Sequence, residues 1–78
     1  MKTKIVEGIE FLYRPGIVYT GEYLGYTITA RWATAVKQWR LAVSKNNGGS
    51  LAFDHQFHVG INNALKFGKE LVDKKFSK

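Results

Sequence analysis

Cysteine is absent from this chain of 78 residues, and proline occurs only once. Without cysteine the chain can form neither a disulfide framework nor a thiolate metal site, and this composition fits a reducing compartment. Acidic residues are also few, six against 12 lysines and arginines, so the formal net charge is +6. A basic balance is one mark of nucleic-acid-binding domains, although the same charge also keeps a small domain soluble.

Long apolar runs are absent as well. The N-terminal stretch MKTKIVEGIEFLY is interrupted by Glu7 and Glu10, so it lacks the continuous apolar segment of a signal peptide. No segment approaches the roughly 18 uninterrupted apolar residues of a membrane span. We therefore expect a soluble, cytoplasmic protein with no membrane partner.

Aromatic residues, in contrast, make up 14% of the chain. A chain of this length buries only a little over ~60% of its unfolded surface. Large aromatic side chains help so small a core to offset the loss of chain entropy. Linkers and internal repeats are missing from the sequence, which predicts a single domain over residues 1–78.

The first half of the chain is typical of strands separated by turns. KIVEGIEFLY predicts one extended ribbon with Ile5, Ile9, Phe11 and Tyr13 on one side. RPG at 14–16 predicts a turn, and GEYLG at 21–25 predicts a hairpin loop. The next stretch, YTITARW, alternates cleanly between two faces, one formed by Tyr26, Ile28, Ala30 and Trp32 and the other by Thr27, Thr29 and Arg31.

Two interpretations fit the middle of the chain. As strands joined by a loop at NNGG (46–49), residues 37–58 direct Trp39, Leu41 and Val43 to the core. The returning strand then alternates through Leu51, Phe53, His55 and Phe57, with His55 flanking the core. As a helix, residues 31–45 carry an apolar stripe with Leu41 alone on the wrong side.

Two local features of the segment favour the helical interpretation. The Asn-Gly pair after it suits a helix C-cap, and ATAV (33–36) lacks the usual chemistry of a hairpin turn. Periodicity leaves both interpretations open.

A pattern of scattered residues bears on this choice. YLGYTITA, a following Trp, GG, a Phe and finally ALKFGKELVD together span residues 23–73. This pattern resembles small uncharacterised bacterial proteins that combine a sheet with a C-terminal helix. The resemblance implies that KQWRLAV is a strand and implies no activity, and we therefore predict the strand.

The C-terminal segment HVGINNALKFGKELVDKKF predicts an amphipathic helix. Its apolar residues recur with the helical spacing of three and four, and Gly68 lies on the apolar face, where it allows close approach to the sheet. The expected fold is therefore α+β, an antiparallel β-meander of four to five strands with one C-terminal amphipathic helix packed on one face. The helical stripe consists of Ile61, Ala64, Leu65, Val72 and Phe76, widened by Phe67 and Leu71.

The sequence gives little support for a metal site or a catalytic site. DHQFH offers Asp54, His55 and His58 as metal ligands, but the spacing splays its ends in an extended chain and no cysteine completes a set. We instead expect Asp54 or His58 to cap the helix N-terminus. No nucleophile elbow, P-loop or dinucleotide fingerprint is present. We therefore predict no enzymatic activity, no cofactor, no metal and no small-molecule substrate.

The open face of the sheet is the remaining candidate site. Strand alternation places Thr27, Thr29, Arg31, Gln38, Arg40 and Ser44 on this face, with Lys37 and Lys45 beside them. The candidate nucleic-acid-binding residues are Arg31, Lys37, Arg40 and Lys45. The Trp and most Tyr side chains map to the core side, and only Tyr13, Tyr19 or Tyr23, near turns, is expected to be exposed for stacking on bases.

Two functional hypotheses follow. The sequence favours a small non-enzymatic accessory or interaction domain that binds a protein partner or a second copy of itself. The alternative is a module that binds single-stranded DNA or RNA through the basic open face. This alternative depends on the strand interpretation, because a helix over 31–45 would separate Arg31 from Arg40.

Overall fold

A computed structural model of the protein describes residues 2–46 and 51–76. In these residues six strands form one antiparallel sheet, in the order in which they follow along the chain, and a helix comes after them. The predicted α+β class is confirmed, and the predicted four to five strands are too few. The strands are β1 (Lys2–Val6), β2 (Ile9–Arg14), β3 (Val18–Tyr23), β4 (Tyr26–Ala33), β5 (Gln38–Lys45) and β6 (Leu51–His58), and α1 (Ile61–Leu71) continues as a π-helical turn over Val72–Phe76.

The additional strand arises from a tight turn at Glu7 and Gly8. Both residues have positive φ, 52° and 79°, which is the type I′ geometry that joins two strands through two residues. Val6 therefore pairs with Ile9, and the single ribbon predicted over KIVEGIEFLY is wrong. Because the chain reverses there, Ile5 lies opposite Glu10 on the open face and is 70% exposed.

The hairpin loop predicted over GEYLG is also too long. Only Leu24 and Gly25 form the turn, and Gly21 lies inside β3. A Cβ atom on Gly21 would lie 2.6 Å from Cδ1 of Phe11, closer than any side chain allows. Glycine at this strand position lets the buried Phe11 ring pack against the backbone.

Residues 31–45 form a strand, a turn and a strand. The pairing of β4 with β5 runs from Tyr26 and Lys45 at one end to Ala33 and Gln38 at the other. The amides of Val36 and Lys37 both donate to the Ala33 carbonyl, at 3.2 and 2.8 Å, and Lys37 closes the turn with φ 54°. The strand prediction is confirmed and the helical alternative is wrong.

The helix α1 packs on β4 and β5 with its apolar stripe. A Cβ atom on Gly68 would lie 2.6 Å from Cγ2 of Ile28 and 3.3 Å from Cδ1 of Leu41. The prediction that Gly68 permits close approach to the sheet is confirmed. The N-cap residue is Gly60, and no side chain of the described residues caps the helix. The predicted cap by His58 is therefore wrong, and the side chain of Asp54, the other predicted cap, lies outside the described residues.

The core lies between α1 and one face of the sheet. None of the helices in the described part of the chain has the length and hydrophobicity that crossing a membrane requires. The opposite face of the sheet carries no packed helix among the described residues, and its side chains are open to solvent. The largest fully buried side chains are those of Phe11, Ile28, Leu41, Leu65, Val43 and Val72.

Candidate functional site

One line of side chains crosses the open face of the sheet on five consecutive strands. Arg14 of β2 lies opposite Val18 of β3, which lies opposite Arg31 of β4. Arg31 lies opposite Arg40 of β5, and Arg40 lies opposite Phe57 of β6. Residues directly opposite each other in antiparallel strands point to the same face. These five residues therefore form one line, here named the arginine row.

The spacing within the arginine row follows from sheet geometry. Neighbouring strands lie about 4.8 Å apart, so the row is about 19 Å long. Arg31 and Arg40 are direct neighbours, and Arg14 lies two strands from Arg31. Like charges directly opposite each other weaken a sheet, and the row makes Arg31 and Arg40 direct partners. The row therefore concentrates positive charge at this end of the open face.

The four sequence-predicted basic residues are only partly brought together. Arg31 and Arg40 are adjacent, and Lys37 lies in the turn just beyond them. Lys45 lies five residues further along β5 than Arg40, about 17 Å away along the strand. It is paired with Tyr26, and strand alternation gives it the face that α1 covers.

Sequence reasoning missed two members of the arginine row. Arg14 was assigned to the RPG turn, although it ends β2 and pairs with Val18. The alternation of β6 predicts Phe57 on the core side of the sheet, but Phe57 lies on the open face opposite Arg40 and is 39% exposed. Register shifts in the pairing of β5 with β6, between Leu41 and Ser44, change which residues share a face. Arg14 is placed in the row by the three-residue turn at 15–17, which pairs it with Val18.

The other end of the open face is acidic. Glu10 lies four residues from Arg14 along β2, about 14 Å away. Glu22 lies opposite Thr27 at the same end of the face. Here the pairing of β2 with β3 stops after Leu12 and Thr20, and a depression of about 490 Å³ opens between the two strands. The open face thus changes from basic to acidic along the strand direction.

Polar side chains connect across this acidic end and the middle of the face. The Thr27 hydroxyl bonds to the side-chain oxygen of Asn46, and the Asn46 amide nitrogen donates to Glu22 Oε1 at 3.4 Å. The hydroxyls of Thr20 and Thr29 lie 3.5 Å apart. These contacts connect β3, β4 and Asn46 at the acidic end of the open face.

Four aromatic rings cluster on the helix side, at the same end of the sheet as the arginine row. Tyr13 and Tyr19 are stacked with ring centroids 4.7 Å apart, and Trp39 meets Tyr19 and Trp32 edge to face at 5.4 and 5.3 Å. Tyr19 is only 8% exposed, so the prediction that it is available for stacking on bases is wrong. Burial, with a smaller effect of Tyr13, raises the pKa of Tyr19. Trp32 is the exposed member of the cluster, at 37%.

His58 lies at the join between β6 and α1. Its ring lies opposite Trp39 and packs against Phe67, with ring centroids 4.8 Å apart. Nε2 is buried and has no hydrogen-bond partner among the described residues, and burial lowers the pKa of the imidazole. The side chains of Asp54 and His55, the other predicted candidate ligands, lie outside the described residues. Within the described part of the chain no three His, Asp or Glu side chains are grouped to hold a metal.

A small polar cluster ties the end of α1 to the sheet. The Tyr23 hydroxyl donates to Asp73 Oδ1 at 2.6 Å, and Lys69 Nζ donates to Asp73 Oδ2 at 2.7 Å. Lys69 Nζ also lies 5.5 Å from the centre of the Tyr23 ring. The bonds from Lys69 and then Tyr23 lower the pKa of Asp73. The contacts among these three residues attach the helical segment to β3.

Comparisons with protein-family models, with curated proteins and with solved structures found no match to this chain. The resemblance to small uncharacterised bacterial proteins stays a prediction. The function therefore has to be argued from the arginine row and its surroundings.

Proposed function

We propose that this protein is a non-enzymatic binding module whose open sheet face binds the phosphate backbone of nucleic acid through the arginine row. The observation that carries the proposal is the direct opposition of Arg31 and Arg40. Two cations at this spacing repel each other in the free protein. A phosphate between them turns that repulsion into two attractions, because a guanidinium pairs with phosphate through parallel hydrogen bonds.

The shape of the row supports a repeating anion as the ligand. Arg14 continues the line of charge on the far side of Val18, so cations recur over about 15 Å of the face. A single small anion fills only one position of such a line, whereas a polynucleotide presents one phosphate after another. The net charge of +6 adds long-range attraction to any polyanion.

The proposal is tested by removing charge from the row. The double variant Arg31→Gln, Arg40→Gln keeps polar side chains at both positions while deleting two cations. We expect its affinity for an oligonucleotide at low salt to fall at least tenfold. The slope of log affinity against log salt should fall by about 0.7 to 0.9, since the two arginines share one phosphate and each neutralised phosphate contributes about that much. Fluorescence anisotropy over a salt series measures both quantities.

Lys45→Gln is the matched control. It deletes one positive charge, half of what the row variant deletes, from the opposite face and from the distant end of β5, and we expect the salt slope to stay unchanged. An effect of the control as large as half that of the row variant would show that net charge, and not the arginine row, drives binding. No binding of the wild-type protein to any oligonucleotide at low salt would contradict the proposal itself.

A second candidate function is binding to a protein partner or to a second copy of the chain. It is favoured by an exposed apolar group at the end of the sheet, where the Trp32 amide donates to the Ile17 carbonyl at 2.9 Å. Ile17, Trp32 and Val36 are 54%, 37% and 48% exposed. Sedimentation over a range of concentrations tests self-association. Ile17→Asp should abolish any dimer that uses this group, and a monomer at every concentration would argue against self-association.

A further inference from the structure

Phe57 ends the arginine row on the edge strand β6. It is 39% exposed, although phenylalanine is among the residues most often buried, and it lies on the same face as the arginines because Arg40 is its direct partner. Exposed rings beside cations are the two parts of a site for unpaired nucleotides: the cation binds the phosphate and the ring stacks on the base. We propose that the arginine row selects single-stranded nucleic acid, with one base stacked on Phe57. This inference rests on the function proposed above and adds the strandedness of the ligand.

The distribution of charge on the open face also favours a ligand with one phosphate backbone over a duplex, which has two. A duplex carries its two backbones on either side of grooves that are about 6 to 12 Å wide. With one backbone on the arginine row, the second falls either toward Glu10 and Glu22 or off the end of the sheet. The first position brings phosphate toward two carboxylates. The second takes the phosphate off the sheet, because β4 ends two residues beyond Arg31, and toward the turn that carries Lys37.

Base stacking on Phe57 also favours a single strand over a duplex. In a duplex the faces of the bases are covered by their neighbours, so a ring on the protein surface cannot stack on them without unpairing the strand. An unpaired strand has its base faces available. Phe57 therefore contributes to binding only when the ligand is single-stranded.

The experiment compares the affinities of wild type and its variants for two ligands, a single strand and a duplex. Wild type, Phe57→Ala and Ile5→Ala are titrated with an oligothymidylate of about 12 nucleotides and with a duplex of the same length at low salt. We expect wild type to bind the single strand more tightly. Phe57→Ala should weaken single-strand binding about tenfold, in line with the loss of one stacked base, and should change duplex binding less than twofold.

Ile5→Ala is the matched control. Ile5 is an exposed apolar residue on the open face of the other edge strand, at the acidic end, and its loss should change neither affinity. Phe57→Leu retains apolar packing without an aromatic face, so it separates a loss of stacking from a loss of folding. It should weaken single-strand binding as much as Phe57→Ala does.

The outcomes are distinguishable. Equal or tighter binding of the duplex by wild type would overturn the single-strand inference, and so would a Phe57→Leu variant that binds like wild type. In either case the loss of binding in the Arg31→Gln, Arg40→Gln variant would still support the arginine row. Absence of binding to both ligands by wild type would remove the proposed function and this inference together.

Discussion

The covered and the open face of the sheet are built from alternate residues of the same strands. On β2, Phe11 is fully buried toward α1, and Leu12, the next residue, is 44% exposed on the other side. On β4 and β5, Ala30 and Leu41 are paired in the core, and the next pair, Arg31 and Arg40, stands in solvent. Neighbouring residues of β4 and β5 thus have very different surroundings. Ala30 and Leu41 make packed apolar contacts, whereas Arg31 and Arg40 are two adjacent like charges.

This difference indicates that the two faces of the sheet have different roles. The covered face stabilises the fold, because burial of apolar side chains is the main favourable contribution to folding. The open face contributes little burial and tolerates repulsion between Arg31 and Arg40. Substitutions on the covered face should therefore change the free energy of unfolding, and substitutions on the open face should change binding and leave stability nearly unaltered.

Phe11→Ala and Leu12→Ala compare neighbouring residues on opposite faces and should give the largest contrast. Phe11→Ala should lower the free energy of unfolding by about 3–5 kcal/mol, because it leaves a cavity in the core. Small domains have only about 5–15 kcal/mol in total, so this variant should be close to unfolding. Leu12→Ala should cost about 1 kcal/mol or less. Urea denaturation followed by circular dichroism measures both, and similar losses would contradict the division between faces.

Gly68→Ala tests how closely α1 approaches the covered face. Alanine raises helix propensity by about 1 kcal/mol, but its Cβ atom would lie 2.6 Å from Ile28 Cγ2. Overpacking of this kind costs about 1–3 kcal/mol, so we expect a net loss of about 1 kcal/mol. Lys66→Ala, at an exposed position of the same helix, should change stability by about 0.5 kcal/mol or less. An increase in stability for Gly68→Ala would show that the helix sits further from the sheet.

Asp73→Asn should have the smallest effect and should depend on pH. Because Lys69 and Tyr23 lower the pKa of Asp73 in the folded state, the carboxylate stabilises the fold above the unfolded value of 3.8. That stabilisation is lost as the pH falls through the lower, folded pKa. The melting temperature of wild type should exceed that of Asp73→Asn at neutral pH, and the difference should vanish in acid. A difference that persists in acid would contradict this role of Asp73.

Several parts of the fold could be predicted from the sequence because local patterns determine them. The helical stripe with Gly68 on its apolar side follows from a spacing of three and four, and the alternation of Thr29, Arg31 and Trp32 follows from the period of a strand. These patterns depend only on neighbouring residues. They were sufficient to place Arg31 and Arg40 on the open face.

The remaining parts depend on turns whose sequences are ambiguous. Glu7-Gly8 and Leu24-Gly25 form two-residue turns with a non-glycine residue at positive φ, which is an uncommon conformation for glutamate or leucine. Lys37 adopts the same conformation where ATAV gave no hairpin signal. Each of these turns fixes the register of the strands after it. The position of Arg14 in the row depends on several such registers and could not be predicted from its own neighbours.

The meander order of the strands has a consequence for how quickly the protein folds. Each strand pairs only with the strand before or after it in the sequence, so the sheet can grow by adding one hairpin at a time. Hairpins form in about 1–10 μs, and folds dominated by such local pairings fold faster than other sheets of similar size. The contacts of α1 with β4 and β5 bridge a longer stretch of chain. We therefore expect docking of the helix, and not assembly of the sheet, to set the folding rate.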